Sequence, residues 1–338
     1  MNKAFVFGKF MPFHKGHEAM INFALSTCDF LTVLICCSDQ EPIPAAIRQS
    51  WLEDTFGHLP QIAIRTYEYD EQLLPNTSET SAAVSAVWAE QFKQLFPDYT
   101  IVVTSEPYGD LVAQFMGIRH IPFNPEKNLY PVSATDVRTN LFNNWAFLPD
   151  SVKASLVTKV VLLGTESTGK TTLTGKLAAH FKAGAVMEAG RDIVADSNDF
   201  GLNDLYLIAT AHAAGIRRMA VGVSPLLIID TDIHITLSYG EYAFGETLAI
   251  DEDIYQSNKA DLYLYLNNDV PYIQDGTRLS EAERNLLDLS HRRTLDKYQI
   301  HYEEITGNWE ERFEKSVVLV EQLLQRKMKS WYSKEKNW

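Results

Sequence analysis

KVVLLGTESTGKTTLTGKLAAHF occupies residues 159–181, and the reading of this stretch decides the fold of half the chain. KVVLLG (159–164) is a short apolar run with the length of a buried strand. KTTLTGKLAAHF (170–181) places Leu173, Leu177 and Phe181 four residues apart, the stripe of a helix. Between them, GTESTGKT (164–171) matches GxxxxGK[ST] at every position. Strand, glycine loop and helix in that order are the context that marks a P-loop. The residue types follow from the task. Gly164 and Gly169 let the backbone curl. The amides of Glu166, Ser167, Thr168, Gly169, Lys170, Thr171 and Thr172 can then surround the phosphates of ATP at the positive end of a helix. Lys170 reaches the β- and γ-phosphates, and the Thr171 hydroxyl is a ligand for Mg²⁺.

Downstream, PLLIID ends in Asp230, an apolar strand followed by a carboxylate suited to sit near that Mg²⁺. Asp232, two residues on, points the same way along a strand. Taken alone, the pair also fits a solvated strand end. EAGRD (188–192) follows another strand pattern and offers Glu188, Arg191 and Asp192 to a phosphoryl acceptor, because a hydroxyl acceptor needs a carboxylate to position it and take its proton. The base is open among Asp192, Asp230 and Asp232. NNDVPYIQDGTR (267–278) contributes Tyr272 for stacking, Asp275 for sugar hydroxyls and Arg278 for charge on the transferring phosphoryl group. Ordinary loop chemistry accounts for these last residues equally well.

The first half of the chain repeats the alternation with a different motif. AFVFG (4–8), LTVLICC (31–37), QIAIRTY (61–67), TIVVTS (100–105) and RHIPF (119–123) read as strands. HEAMINFALSTC (17–28), IRQSWLEDTF (47–56) and SETSAAVSAVWAEQFKQLF (78–96) read as helices, the last with Ser78 or Thr80 as cap. Immediately after the first strand comes GKFMPFHKGH (8–17). Its Gly8, Lys9, Phe10, His14 and His17 form a phosphate clamp in which two imidazoles and a helix N-terminus face ATP. A metal site is the alternative, but no third ligand stands nearby. Far along the chain, VSATDVR (132–138) sets Ser133 and Thr135 at a helix start with Arg138 one turn in, a second anion site. HxGH with such a helix start is the two-part signature of nucleotidyl transferases. A phosphate nucleophile is already ionised, so His14, His17 and Arg138 need only position and neutralise charge.

At 338 residues the chain has room for two domains, expected at 1–150 and 157–330 with FNNWAFLPDSV (142–152) as the crossing. AVMEAG (185–190), PLLIIDTD (225–232) and ADLYLYL (260–266) are the further strands of the second, with helices at 203–220, 280–298 and 309–328. Continuous apolar strands alternating with helices give an α/β fold with parallel sheets in both halves. The formal net charge of −14 argues against a duplex-DNA partner. The short basic tail RKMKSWYSKEK (326–336) reads as the solvated end of the last helix. No apolar run approaches the ~18 residues that span a bilayer, and Asn2 and Lys3 lead directly into the first strand without a signal peptide. The three cysteines, Cys28, Cys36 and Cys37, fit reduced thiols of a cytoplasmic protein.

The order GKFxPxHxGH, RxxWL (Arg48, Trp51, Leu52), TSExYG (104–109), SxTxxR, GTESTGKTT, ExGRD, IDTD and VPYxxDGxR resembles the bifunctional nicotinamide mononucleotide adenylyltransferase and ribosylnicotinamide kinase family, the NadR type, from Lys3 to about Gln322. The resemblance implies a Rossmann-like HxGH nucleotidyltransferase domain followed by a P-loop kinase domain. The second half would phosphorylate the 5′-hydroxyl of nicotinamide riboside with ATP. The first would join the resulting NMN to the α-phosphorus of a second ATP, giving NAD⁺ and pyrophosphate with Mg²⁺. It further implies Trp88 as a stack for nicotinamide and Arg48, Glu188, Arg191, Asp232, Tyr272, Asp275 and Arg278 as substrate-binding residues. Tyr272 stands where relatives often carry Trp, and Ala134 where many have Gly. Some relatives carry an N-terminal DNA-binding module, for which this chain leaves no room before its first strand. The resemblance also admits a homo-oligomer and coupling to a membrane riboside transporter. Two rival readings stay open: a kinase whose first half only senses nucleotides, and a pair acting on another vitamin nucleotide.

Overall fold

The computed structural model describes all residues except 76–79, 125, 127, 195–199, 273–278 and 331–338. Two compact units have Met1–Ser155 and Leu156–Lys327 as their principal segments. The junction falls inside a helix, Asp150–Leu156, that begins directly after Pro149. A proline suits that start, since at a helix start it gives up an amide that has no intrahelical partner.

In the first unit, β1 (Lys3–Gly8), β2 (Phe30–Ser38), β3 (Ile62–Tyr69), β4 (Ile101–Thr104) and β5 (Arg119–Pro122) form one parallel sheet in the order β3-β2-β1-β4-β5. Phe5 of β1 pairs with Thr32 on one side and Val102 on the other, and it is fully buried against Phe92, Phe96 and Tyr99. The chain winds one way from β1 and then returns to add β4 beyond it. The direction of winding thus reverses between β1 and β4, and their carboxyl ends, Gly8 and Thr104, open a crevice of the kind that binds ligands in Rossmann-like sheets. The long helix of this unit runs Ala82–Leu95, shorter than expected, and its cap is Ser81, whose hydroxyl accepts the Val84 amide. Of the caps expected from sequence, Ser78 lies outside the described residues.

The second unit repeats the architecture with another order. β6 (Thr158–Leu163), β7 (Gly184–Val186), β8 (Leu226–Asp230), β9 (Leu262–Leu266) and β10 (Glu303–Ile305) run parallel as β10-β9-β6-β8-β7. Its core joins Val160, Leu162, Ile228 and Leu264 to Leu173 and Leu177 of the helix Lys170–Phe181. β6 is central, so the glycine loop that follows it lies between the ends of β8 and β9. β7 stops at Val186, which leaves Glu188–Asp192 in a loop and the short helix Gly190–Ile193. Helices at Tyr108–Met116, Ile233–Phe244 and Glu252–Asn258 were not expected from sequence. Among the described residues, no helix is long and apolar enough to cross a membrane.

Candidate active sites

In the first unit the loop after β1 folds back over the start of the helix Lys15–Leu25. His14 is the cap of that helix, and its Nδ1 accepts the Gly16 amide at 3.1 Å. This bond fixes the neutral tautomer with the proton on Nε2. A Cβ at position 16 would stand 2.9 Å from the His14 ring, so only glycine allows the approach. The His14 and His17 rings stack with centroids 3.8 Å apart. Phe10, at a φ of 48° and almost wholly buried, meets His17 edge-on at 4.9 Å. Burial, reinforced by the neighbouring His14, holds the His17 imidazole well below the usual histidine range. His17 is thus neutral and packed closely on His14. His17 Nδ1 is buried without a partner among the described residues.

Arg138 ties the distant helix Ala134–Thr139 to this loop, donating to the Met11 carbonyl and, at 3.0 Å, to Thr135 Oγ1. The arrangement brings Arg138 and Thr135 beside the histidine loop. Ser133 caps the helix in a reciprocal box with Asp136, so its hydroxyl already serves the backbone. Lys9 pairs with Glu41 at 2.9 Å. Arg48 lies inside the protein and bonds Glu41 at 2.7 Å and the Lys9 carbonyl at 3.0 Å, bracing the loop from within. Trp88 is partly buried, its indole N–H on the Pro75 carbonyl at 3.0 Å and its ring against Tyr69 at 5.0 Å. Sequence reasoning missed Glu41, which joins two of the predicted cations. It also missed His120, which bonds Asp110 at 2.6 Å and Thr104 at 3.0 Å and so ties the TSExYG turn to β5. Neither residue lies in a motif that marks its partner.

In the second unit the P-loop is held in an unusual backbone: Gly164 has a φ of 133°, Gly169 of 86° and Ser167 of 61°. Thr168 closes the loop through the Thr165 carbonyl at 2.8 Å, and Lys170 Nζ lies over the same carbonyl at 3.0 Å. Thr171 Oγ1 donates to Asp230 Oδ2 at 2.6 Å. Asp230 is fully buried, and its Oδ1 has no partner among the described residues. A hydroxyl beside a half-satisfied carboxylate fits Mg²⁺, which takes few protein ligands and completes its shell with water and substrate phosphate. Among the described residues, no group of three or more His, Cys, Asp or Glu is arranged to hold a metal by itself.

The other candidates divide. Asp232 is buried and does not stand beside Asp230 as an open carboxylate. It caps the helix Ile233–Phe244 and bonds His234 Nδ1 at 2.5 Å. Thr231 between them has a φ of 69°, which breaks the strand alternation on which the expectation rested. Asp192 is exposed at the start of its short helix. Glu188 is half-buried. Burial, with the charges of Glu166 and Glu188, pushes the Tyr239 phenol well above its usual range. Tyr239 donates to Glu166 at 3.3 Å, and its ring meets His291 at 5.5 Å. His291 is buried, bonds Ser238 through Nδ1 at 2.9 Å and has no partner on Nε2 among the described residues. Burial and the Lys170 charge bring it down to about 3. Tyr239 and His291 thus line the P-loop site, and no motif announced them. Tyr272 lies under the Arg284 guanidinium at 5.1 Å. The Arg191 side chain, Asp275 and Arg278 lie outside the described residues.

Two parallel five-stranded sheets define a two-domain α/β protein with a Rossmann-like first unit and a P-loop second unit. A family model described as an AAA domain matches residues 159–312. The trifunctional NAD biosynthesis/regulator protein NadR of Salmonella typhimurium is 29% identical over 297 residues, 82% of this chain and 72% of that one. Its Escherichia coli counterpart is 27% identical over 347 residues, 94% of this chain and 82% of that one. A crystal structure of NadR protein in complex with NR superposes with a TM-score of 0.65 at 20% identity, covering 95% of this chain and 96% of the other. A NadR structure in complex with NAD and AMP-PNP gives 0.62 over the same shares, also at 20% identity. The chain is NadR-like over most of its length.

Proposed function

We propose that the protein is a bifunctional NAD-biosynthesis transferase, whose second unit phosphorylates nicotinamide riboside and whose first unit adenylylates the product. The observation that carries the reading is the presence of two cradles of different design on a NadR-like chain: stacked His14 and His17 at one helix start, and Thr171 bonded to Asp230 beneath the other. Each suits a different phosphorus of ATP.

In the second unit the P-loop amides and Lys170 hold the triphosphate, and Thr171 with Asp230 would hold Mg²⁺, which neutralises charge on the phosphates. The riboside 5′-hydroxyl attacks the γ-phosphorus, ADP leaves, and the hydroxyl proton passes to a carboxylate. Asp230 is engaged with Thr171 and Asp232 with His234, so the exposed Asp192 is the base that this geometry favours. In the first unit the NMN phosphate, already an anion, attacks the α-phosphorus, and pyrophosphate leaves. His14 and His17 donate to the phosphates, and Arg138 fixes the loop that presents them while adding positive charge. Both reactions are positioning and charge stabilisation.

The test is a pair of variants followed by chromatography with nicotinamide riboside, ATP and Mg²⁺. His17→Ala should accumulate NMN and lower NAD⁺ formation by about a hundredfold or more. Lys170→Ala should fail to make NMN yet convert added NMN to NAD⁺ at the parental rate. A parental protein that makes NMN and never NAD⁺ would reduce the first unit to a sensor. A panel in which another riboside is the better acceptor would reassign the substrate.

A further inference from the structure

Trp309 follows β10 and opens the last helix, Trp309–Ser330, yet 51% of it is exposed. It does not stand loosely. Its six-membered ring lies against Gly169 so closely that a Cβ there would be 2.4 Å from the ring. Arg312 packs over the indole at 5.5 Å. Arg312 itself is buried and donates to the carbonyls of Thr168 at 3.0 Å, Gly307 at 2.9 Å and Asn267 at 2.9 Å, and it is paired with Asp269. One side of the indole is therefore locked to the P-loop by a buried cation, while the remaining surface stays open. Held rigidly beside the phosphate loop, the half-exposed indole offers a flat π-face on which a base can stack.

We infer that Trp309 is the platform on which the nucleobase of the P-loop nucleotide stacks. A nucleotide whose phosphates lie on Gly169 to Thr171 carries its base one ribose away from them, the reach that Trp309 occupies. The polar groups of the same loop are already engaged. Asn308 Oδ1 accepts the amides of Glu310 at 2.9 Å and Glu311 at 3.1 Å, Glu311 accepts that of Asn308 at 2.9 Å, and Asp269 accepts that of Gly307 at 2.9 Å. The loop thus presents a π-face and few groups that read a base edge. Stacking tolerates any base, so this subsite takes guanine nearly as well as adenine. The inference rests on the P-loop as a nucleotide-phosphate site and not on the identity of the acceptor.

The experiment titrates Mg²⁺ with ADP, GDP or inorganic tripolyphosphate into the full chain and reads peptide-resolved hydrogen exchange at residues 164–173. That readout is local to this site. Trp309→Ala should weaken ADP and GDP by about tenfold each and leave the base-free tripolyphosphate unchanged, while Trp309→Phe restores both nucleotides. ADP and GDP should bind the parental chain within about fivefold of each other, as stacking without edge readout requires. Unchanged ADP binding in the alanine variant would overturn the inference, and so would an equal loss for tripolyphosphate, which would mean that the indole only supports the loop. A strong preference for ADP over GDP would overturn recognition by the face alone. Riboside phosphorylation takes no part in these titrations, so a different acceptor would leave their outcome intact.

Discussion

At the scale of single residues, both cradles depend on histidines kept neutral by burial, and this has a pH cost that can be measured. His291 is the clearest case. Burial first, and the Lys170 charge second, bring it from 6.5 to about 3. Unfolded, the same imidazole binds a proton near pH 6.5. A depressed folded value therefore contributes stability that is complete above pH 6.5 and is lost as pH falls toward 3. Each proton taken up only on unfolding contributes about 1.4 kcal/mol per pH unit. His212, also lowered by burial, adds to the trend in the same unit. Denaturant unfolding between pH 5 and 6.5 should give a steeper loss for the parental protein than for His291→Asn, whatever the offset between their stabilities. Parallel slopes would mean that His291 takes its proton without unfolding. The same neutral ring explains how a histidine sits beside Lys170: as an imidazolium it would oppose that charge.

At the scale of elements, the legible parts of both sites are those written in consecutive residues. The P-loop could be read because glycine spacing, strand and helix adjoin in sequence, and the helix cap at Ser133 because Asp136 stands three residues on. What was not legible came from elements meeting across the sheet. Glu41 joins Lys9 and Arg48 only after β2 has been laid beside β1. Asp232 falls outside the strand because a left-handed Thr231 ends it at Asp230, two residues before the expected end. Arg312 belongs to a helix of the far edge yet holds the P-loop through Thr168. That bond makes a further prediction. Arg312→Met leaves three backbone carbonyls without their donor and Asp269 without its cation. It should cost on the order of 3 kcal/mol in the stability of the second unit, measured by denaturant midpoint. It should also raise the KM for ATP in riboside phosphorylation while NAD⁺ formation from NMN keeps its parental rate. An unchanged KM in a folded variant would separate the arginine from the shape of the loop.

At the scale of the whole molecule, the sequence motifs and the sheets agree on two self-contained halves, each with its own core and its own ligand edge. The core of the first has aromatics around Phe5, and that of the second aliphatics around Leu162. Ligands should then act locally. A ligand that binds only the folded form stabilises it by RT ln(1 + [L]/Kd), about 2.7 kcal/mol at a hundredfold excess over Kd. Amides that exchange through unfolding of the bound unit should slow by about a hundredfold at that excess. On the function proposed, nicotinamide riboside should protect the cores of β6, β8 and β9 and leave β1 and β2 at their unliganded rates. NAD⁺, the product of the first unit, should protect β1 and β2. Hydrogen exchange of the intact chain with each ligand in turn distinguishes the cases. Equal protection of both sheets by the riboside alone would show that the halves unfold as one body, and each cradle would then report on the occupancy of the other.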